Sequence, residues 1–116
     1  MISAQAANAF HPDSLGNAAL MQARLDMVRA YGVDRFLAHT QAAMERPDRS
    51  ALLDGRRPTL VLGASHDKVF PPASLQTWAS TLPDAQFRLI EGAGHLAPME
   101  KPEQVAQTLA DWVGAA

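Results

Sequence analysis

Two residues of this chain could do acid–base chemistry, and each follows a predicted strand. Asp67 comes after the apolar run at residues 59–62, and His95 comes after the run at residues 86–91. Because the carboxyl ends of adjacent parallel strands meet at one edge of a sheet, we expect Asp67 and His95 on the same rim. A carboxylate beside an imidazole can fix its tautomer and stabilise the imidazolium. The second ring nitrogen is then left to accept a proton.

A metal site is the alternative chemistry for these residue types. His66 lies next to Asp67, and with His95 it would complete a set of three ligands. Three scattered ligands without a regular spacing are weak grounds for zinc. The chain has no cysteine, which removes thiolate ligands, disulfides and thiol nucleophiles. We therefore expect no metal and no cofactor.

Alternating strands and helices must position Asp67 and His95. The β-rich apolar run at residues 59–62 has no polar alternation, which favours an interior strand covered on both faces. After a double proline, apolar residues at helical spacing predict a helix that reaches residue 82. A second strand at residues 86–91 and an amphipathic helix from Pro102 follow. The pattern predicts the α/β class, with a right-handed parallel β-α-β-α unit.

The first half of the chain has a helical apolar period instead. Asn17 is the predicted N-cap of a helix that Gly32 ends. Asp34 is the predicted cap of a second helix, which ends before Pro47 because proline disfavours helical geometry in the preceding residue. Residues 48–53 could add one short turn.

The change of period near residue 55 divides the chain into two segments. We predict a helical segment at residues 1–55 and a β-α-β-α segment at residues 56–116. With 116 residues, of which 47% are hydrophobic, the chain can build the core of one small domain.

Charge and hydropathy exclude several classes of partner. Ten Lys plus Arg against twelve Asp plus Glu leave a net charge of −2 without a basic run, so we expect no nucleic acid partner. Every 18-residue stretch contains a charge, and the first residues lack the pattern of a secretory signal. We therefore expect a cytoplasmic protein without membrane contact.

The loops around Asp67 and His95 resemble the C-terminal part of the α/β-hydrolase fold family. The resemblance rests on residues 58–72, which contain the string His-Asp-Lys-Val, and on residues 92–103, which begin Gly-Ala-Gly-His. The helices before residue 55 are similar to the end of the helical cap that many such hydrolases insert before their last strands. The resemblance therefore implies a partial α/β-hydrolase fold in which cap-like helices precede the last two core strands and helices.

The same resemblance implies roles for individual residues. In this family the loop after the penultimate core strand commonly supplies the acid of a Ser-His-Asp triad, and the G-x-G-H loop supplies the histidine. Asp67 is then the acid and His95 the general base. Leu96 and Met99 are candidates to line a substrate pocket. One departure is that three residues, not the more common two, separate Gly63 from Asp67.

The nucleophile of this family is a serine on a G-x-S-x-G elbow, and this sequence has no such motif. Ser14 is the nearest candidate, because a glycine follows it at the required spacing. Proline replaces the first glycine, however, and no strand-like run precedes it. A serine in a loop or at a helix N-cap is the competing interpretation of Ser14.

Three hypotheses for function follow from these residues. The leading one is the C-terminal half of an enzyme that hydrolyses a small ester, lactone or related carbon substrate, inactive by itself. The second is a binding or assembly module that forms a homodimer, or pairs with an N-terminal half, through exposed sheet edges. The third is a site that Ser14 or a partner chain completes.

Overall fold

The computed structural model describes residues 4–115 and consists of six α-helices, two short 3₁₀ helices and two strands within that range. The α-helices are α1 (Ala4–Ala9), α2 (Ala18–Tyr31), α3 (Val33–Glu45), α4 (Pro72–Ala79), α5 (Ala97–Glu100) and α6 (Pro102–Ala115). The strands are β1 (Thr59–Ala64) and β2 (Ala85–Ile90), and the 3₁₀ helices are Pro12–Gly16 and Ser50–Leu52.

The two strands form a parallel sheet, with α4 between them in the chain. Their register runs from Thr59 opposite Ala85 to Ala64 opposite Ile90. Both strands therefore end at the same level, and the loops that carry Asp67 and His95 start side by side. The predicted α/β class is confirmed.

Strand β1 is less enclosed than the sequence indicated. Within residues 4–115 it pairs with β2 alone, so its other edge carries no strand. Val61 is buried, whereas Leu60 and Leu62 are only half-buried. The prediction of an interior strand covered on both faces is therefore wrong for the described part of the chain. A fully apolar run indicates that a strand is able to bury both of its faces. It does not indicate which other strands and helices are present to cover those faces.

The core lies directly beneath the two loops. Ile90 and Ala93 are fully buried in it. It consists of five buried side chains with Leu62 packed against them: Ala64, Ile90, Ala93, Ala97 and Val105. The ends of β1 and β2 and the starts of α5 and α6 therefore share one small core, which holds both loops in place.

The predicted ends of α2 agree with the structure. The Asn17 side chain accepts a hydrogen bond from the backbone N–H of Leu20 at 3.1 Å, as an N-cap does. Gly32 ends the helix with φ +78°, a conformation that glycine adopts without steric cost.

The predicted start of α3 is wrong by two residues, because the N-cap is Gly32 and not Asp34. Gly32 is at once the C-cap of α2 and the N-cap of α3, so no linker remains in which Asp34 could cap. Asp34 lies in the first turn instead, where its carboxylate interacts favourably with the positive end of the helix dipole. The predicted end holds, because Arg46 is extended directly before Pro47.

The apolar sides of α2 and α3 stay exposed to solvent. Neither helix has a buried residue. The large apolar side chains that these two helices expose are Leu25, Met27, Val28, Val33, Phe36, Leu37 and Met44. No helix within residues 4–115 is both long enough and apolar enough to cross a membrane.

Residues 4–11, which we call the strap, pack on the loops of the sheet. Phe10 is the strap's anchor, with only 1% of its surface exposed. The strap contacts both loops through hydrogen bonds, from Lys68 Nζ to the Ala7 carbonyl (3.1 Å) and from the Leu96 N–H to the Ala9 carbonyl (3.2 Å). The sequence pattern placed Ala4–Ala9 in the helical segment without assigning a separate helix to it.

Candidate active site

Asp67 and His95 form a hydrogen-bonded pair at the carboxyl end of the sheet. Asp67 lies three residues after β1 and His95 five residues after β2. The Nδ1 atom of His95 lies 3.0 Å from the Oδ2 atom of Asp67. The structure therefore brings together the two residues that the sequence placed on the same rim.

The second carboxylate oxygen of Asp67 is held by its own loop. Oδ1 accepts the backbone N–H groups of Val69 (2.8 Å) and Phe70 (2.9 Å), a turn that aspartate commonly makes with the residues that follow it. Only 9% of the Asp67 side chain is exposed. The loop thus fixes one oxygen and aims the other at His95.

Opposing effects set the pKa of Asp67. Burial has the largest single effect and raises the pKa, whereas the hydrogen bonds from the Phe70 N–H, from His95 and from the Val69 N–H lower it. Together with the attraction to His95, these contacts outweigh burial, and the pKa of Asp67 lies below its ordinary value. The carboxylate is therefore ionised at neutral pH, as a partner for an imidazolium must be.

The imidazole of His95 is held on one side and open on the other. Donation from Nδ1 to Asp67 places the proton of the neutral ring on Nδ1. Nε2 has no hydrogen-bond partner within residues 4–115, and 35% of the side chain is exposed. The ring of Phe70 lies beside it, with centroids 5.9 Å apart. Nε2 is thus free to take a proton from a group that approaches from solvent.

Hydrogen bonds tie the two loops to each other. The His66 N–H donates to the Ala93 carbonyl at 2.9 Å, and the Ser65 N–H donates to the Ile90 carbonyl at 3.0 Å. The Ser65 hydroxyl accepts the Gly92 N–H at 2.9 Å and contacts His66 Nδ1 at 2.8 Å. Sequence reasoning missed Ser65, whose only signal is its place among the three residues between Gly63 and Asp67.

A carboxylate that sequence reasoning also missed joins the His95 loop to the strap. Glu100 Oε1 accepts the Gly94 N–H, and Glu100 Oε2 accepts the His11 N–H, both at 2.8 Å. Glu100 is half-buried at the end of α5. The signal that could have found it is its position five residues after His95, one helical turn beyond the loop.

Ser14 belongs to a different element from the loops of Asp67 and His95. It belongs to the 3₁₀ helix Pro12–Gly16, where its N–H donates to the His11 carbonyl at 3.0 Å. Its hydroxyl makes no hydrogen bond to His95 in the described residues. The segment stands between two helices, which differs from the strand-to-helix turn of a nucleophile elbow.

Two of the remaining candidates, Leu96 and Met99, lie close to His95 in the chain. Leu96 and Met99 are half-buried at the start of α5, where the Met99 N–H donates to the Leu96 carbonyl at 2.8 Å. Their place in a substrate pocket stays a prediction.

His66 is exposed and packs edge-on against the ring of His11, with centroids 4.1 Å apart. Residues 4–115 hold no cluster of three or more His, Asp or Glu side chains placed for a metal ion.

Fold and site define the class of this protein. The alpha/beta hydrolase fold family matches residues 4–102, and the chain belongs to that family. Among curated proteins, the pimeloyl-(acyl-carrier protein) methyl ester esterases of three strains of Xanthomonas campestris pv. campestris are 36% identical to it over 73 residues. The match covers 62% of this chain and 29% of each esterase, so the chain spans under a third of their length.

Two solved structures extend the comparison. A thermophilic esterase from Thermogutta terrifontis is 44% identical, with a TM-score of 0.57 over 61% of this chain and 26% of that chain. MGS-MChE2, an alpha/beta hydrolase enzyme from the metagenome of sediments from the lagoon of Mar Chica, Morocco, is 26% identical. Its TM-score is 0.58 over 84% of this chain and 45% of that chain. The predicted membership of the α/β-hydrolase fold family is confirmed.

Proposed function

We propose that this chain carries the acid and the general base of an esterase of the Ser-His-Asp type. The observation that carries the proposal is the 3.0 Å hydrogen bond between Asp67 and His95, with Nε2 of His95 open to solvent. The similarity to two esterases supports an ester as the substrate. The methyl ester esterase among them favours a small alcohol as the leaving group.

The proposed reaction uses the two ring nitrogens of His95 differently. Nε2 takes the proton of a serine hydroxyl while the serine oxygen bonds to the ester carbonyl carbon. The resulting imidazolium is stabilised by Asp67 and then gives the proton to the departing alcohol oxygen as the C–O bond breaks. A water molecule then gives a proton to Nε2 of His95 while its oxygen bonds to the carbonyl carbon of the acyl-enzyme. His95 returns that proton to the serine oxygen as the bond between serine and acyl group breaks, which releases the acid and the free serine.

The serine of this reaction comes from a segment with a G-x-S-x-G elbow, which the present sequence does not contain. The donors of an oxyanion hole lie on the residue after that serine and on an earlier loop. By itself, the chain is therefore expected to hydrolyse esters no faster than a protein without an esterase site. Activity requires the part of the fold that precedes the cap-like helices.

Complementation tests this proposal. The part of the Thermogutta terrifontis esterase that this chain does not match is produced together with residues 1–116, and hydrolysis of p-nitrophenyl acetate is measured. We expect turnover, and labelling of the elbow serine by a fluorophosphonate, only when both pieces are present. The part of that esterase that this chain matches is the positive control. Labelling of Ser14 in the isolated chain would overturn the assignment.

The second candidate function is an assembly module without catalysis. Exposed apolar side chains on α2 and α3, together with the open edge of β1, favour association with another copy or with an N-terminal half. Sizing the chain at micromolar concentration tests this function. A homodimer that is inactive in every complementation supports it, and a compact monomer counts against it.

A further inference from the structure

Glu100 takes no part in the proposed reaction, but both oxygens of its carboxylate are held by hydrogen bonds. Its carboxylate is half-buried, and each of its oxygens accepts a backbone N–H at 2.8 Å. One N–H belongs to Gly94, the residue directly before His95, and the other belongs to His11 at the end of the strap. Hydrogen bonds with a charged acceptor are stronger than those between neutral groups. Glu100 therefore acts on the backbone at the base of the His95 loop.

We propose that Glu100 is a positioning residue that fixes the peptide before His95 and thereby the hydrogen bond between His95 and Asp67. The orientation of that peptide sets the direction in which the His95 side chain leaves the backbone. The proposal rests on the proposed function for the importance of His95. Its geometric content does not depend on catalysis.

The strap reinforces the same loop from the other side. The Leu96 N–H donates to the Ala9 carbonyl, so the strap holds the residues on both sides of His95, one directly and one through Glu100. Phe10, between these two contacts, is fully buried. The backbone on either side of His95 is thus fixed before any substrate arrives, as a preorganised base requires.

The other loop is tied to the same strap. Lys68, which follows Asp67 in the chain, donates from Nζ to the Ala7 carbonyl at 3.1 Å. The strap therefore contacts the immediate neighbours of both the acid and the histidine. Among the described residues, the Glu100 side chain forms hydrogen bonds both to the His95 loop and to the strap. Substitution of Glu100 therefore tests this arrangement most directly.

The substitution Glu100→Gln tests the proposal with little change in shape. A glutamine keeps one acceptor oxygen and turns the other position into an NH₂ group, which opposes one of the two backbone N–H groups. We measure the tautomer of His95 by ¹⁵N NMR of the full chain at a pH where the ring is neutral. In the parent chain, we expect the Nδ1–H form. In Glu100→Gln, we expect that form to lose its dominance.

Glu103→Gln is the matched control. Glu103 lies three residues further on, exposed in the first turn of α6. This variant removes the same charge and should keep the tautomer of the parent chain. Loss of the Nδ1–H form in both variants would assign the effect to net charge and overturn the proposal. An unchanged tautomer in a folded Glu100→Gln chain would also overturn it.

A second pair of variants covers the case in which Glu100→Gln does not fold. His11 has φ −60°, which proline adopts, so His11→Pro keeps φ but deletes the N–H that bonds to Glu100 and puts a ring carbon in the place of that hydrogen. His11→Ala removes the ring and keeps that N–H. We expect a partial loss of the Nδ1–H form in His11→Pro and none in His11→Ala. Equal tautomer ratios in the two variants would contradict the proposal.

The NMR readout separates this inference from the proposed function. If complementation gives no esterase but Glu100→Gln shifts the tautomer, the positioning role stands and the esterase assignment fails. If the complemented enzyme is active and Glu100→Gln changes neither the tautomer nor kcat, only the positioning role fails.

Discussion

Gly94 lies against the backbone of Phe10 so closely that a Cβ atom on Gly94 would stand 2.7 Å from the Phe10 carbonyl carbon. The same Cβ would lie 2.8 Å from the Ala9 oxygen and from the His11 nitrogen. These neighbours are backbone atoms, which cannot rotate away. The residue before His95 must therefore be glycine for the strap to dock on the loop.

Substitution of Gly94 by alanine should separate the strap from the loop. Because the added methyl group meets backbone atoms, we expect a loss of about 1–3 kcal/mol in the free energy of unfolding, measured by urea denaturation. Gly114→Ala is the control, since a Cβ at Gly114 meets nothing within 4 Å. Equal stability of the Gly94→Ala chain and the parent chain would show that the strap does not dock as described.

Phe10 should contribute far more to stability than other phenylalanines of the chain. Phe10→Ala removes a fully buried ring, and we expect a cost of roughly 3–5 kcal/mol. Phe36→Ala removes a ring that is 57% exposed on α3, and we expect a change within about 0.5 kcal/mol. Thermal unfolding of the two variants compares them directly. Similar losses would contradict the burial of the strap.

The lowered pKa of Asp67 predicts a specific dependence of stability on pH. A carboxyl group whose pKa is lower in the folded chain than in the unfolded chain stabilises the fold above the unfolded pKa. That stability is lost as the pH falls through the ordinary aspartate range towards the lower pKa of the folded state. We expect the difference in unfolding free energy between the parent chain and Asp67→Asn to shrink between neutral pH and acid.

Urea denaturation at a series of pH values measures that difference. Asp26→Asn is the matched control, because Asp26 is 61% exposed on α2. A difference for Asp67→Asn that is the same at neutral and acid pH would show that the ionised carboxylate does not stabilise the fold.

The acid should matter strongly in a complemented enzyme. Asp67→Asn keeps the shape of the side chain but removes the charge that stabilises the imidazolium and favours the Nδ1–H tautomer. In serine proteases the equivalent change lowers kcat by about 10⁴-fold, and we expect a loss of that order. The measurement is kcat for p-nitrophenyl acetate with the Thermogutta terrifontis piece. Retention of more than a tenth of the activity would exclude Asp67 as the acid.

The sequence predicted local features where one residue determines the geometry. Asn17 caps α2, Gly32 ends it, and the residue before Pro47 ends α3, each by a steric or hydrogen-bonding rule that acts within a few residues. The position of Asp67 and His95 on one rim was also predictable, because parallel strands align their carboxyl ends.

Contacts of the strap with the rest of the chain were not predictable. Glu100 and His11 are 89 residues apart, and neither residue type indicates a hydrogen bond between them. Helix α1 is rich in alanine and shows no apolar stripe, so nothing in its pattern indicated that Phe10 would be buried at its end. The start of α3 was missed because one glycine serves two helices.

His95 is proposed as the general base of an esterase whose serine lies in another segment. The most direct measurement is kcat for p-nitrophenyl acetate by the chain complemented with the Thermogutta terrifontis piece, compared with His95→Ala and with His39→Ala. His39 lies exposed on α3 and is the matched control. We predict that His95→Ala abolishes turnover by about 10⁴-fold or more and that His39→Ala leaves it unchanged. Turnover that persists in His95→Ala would contradict the claim.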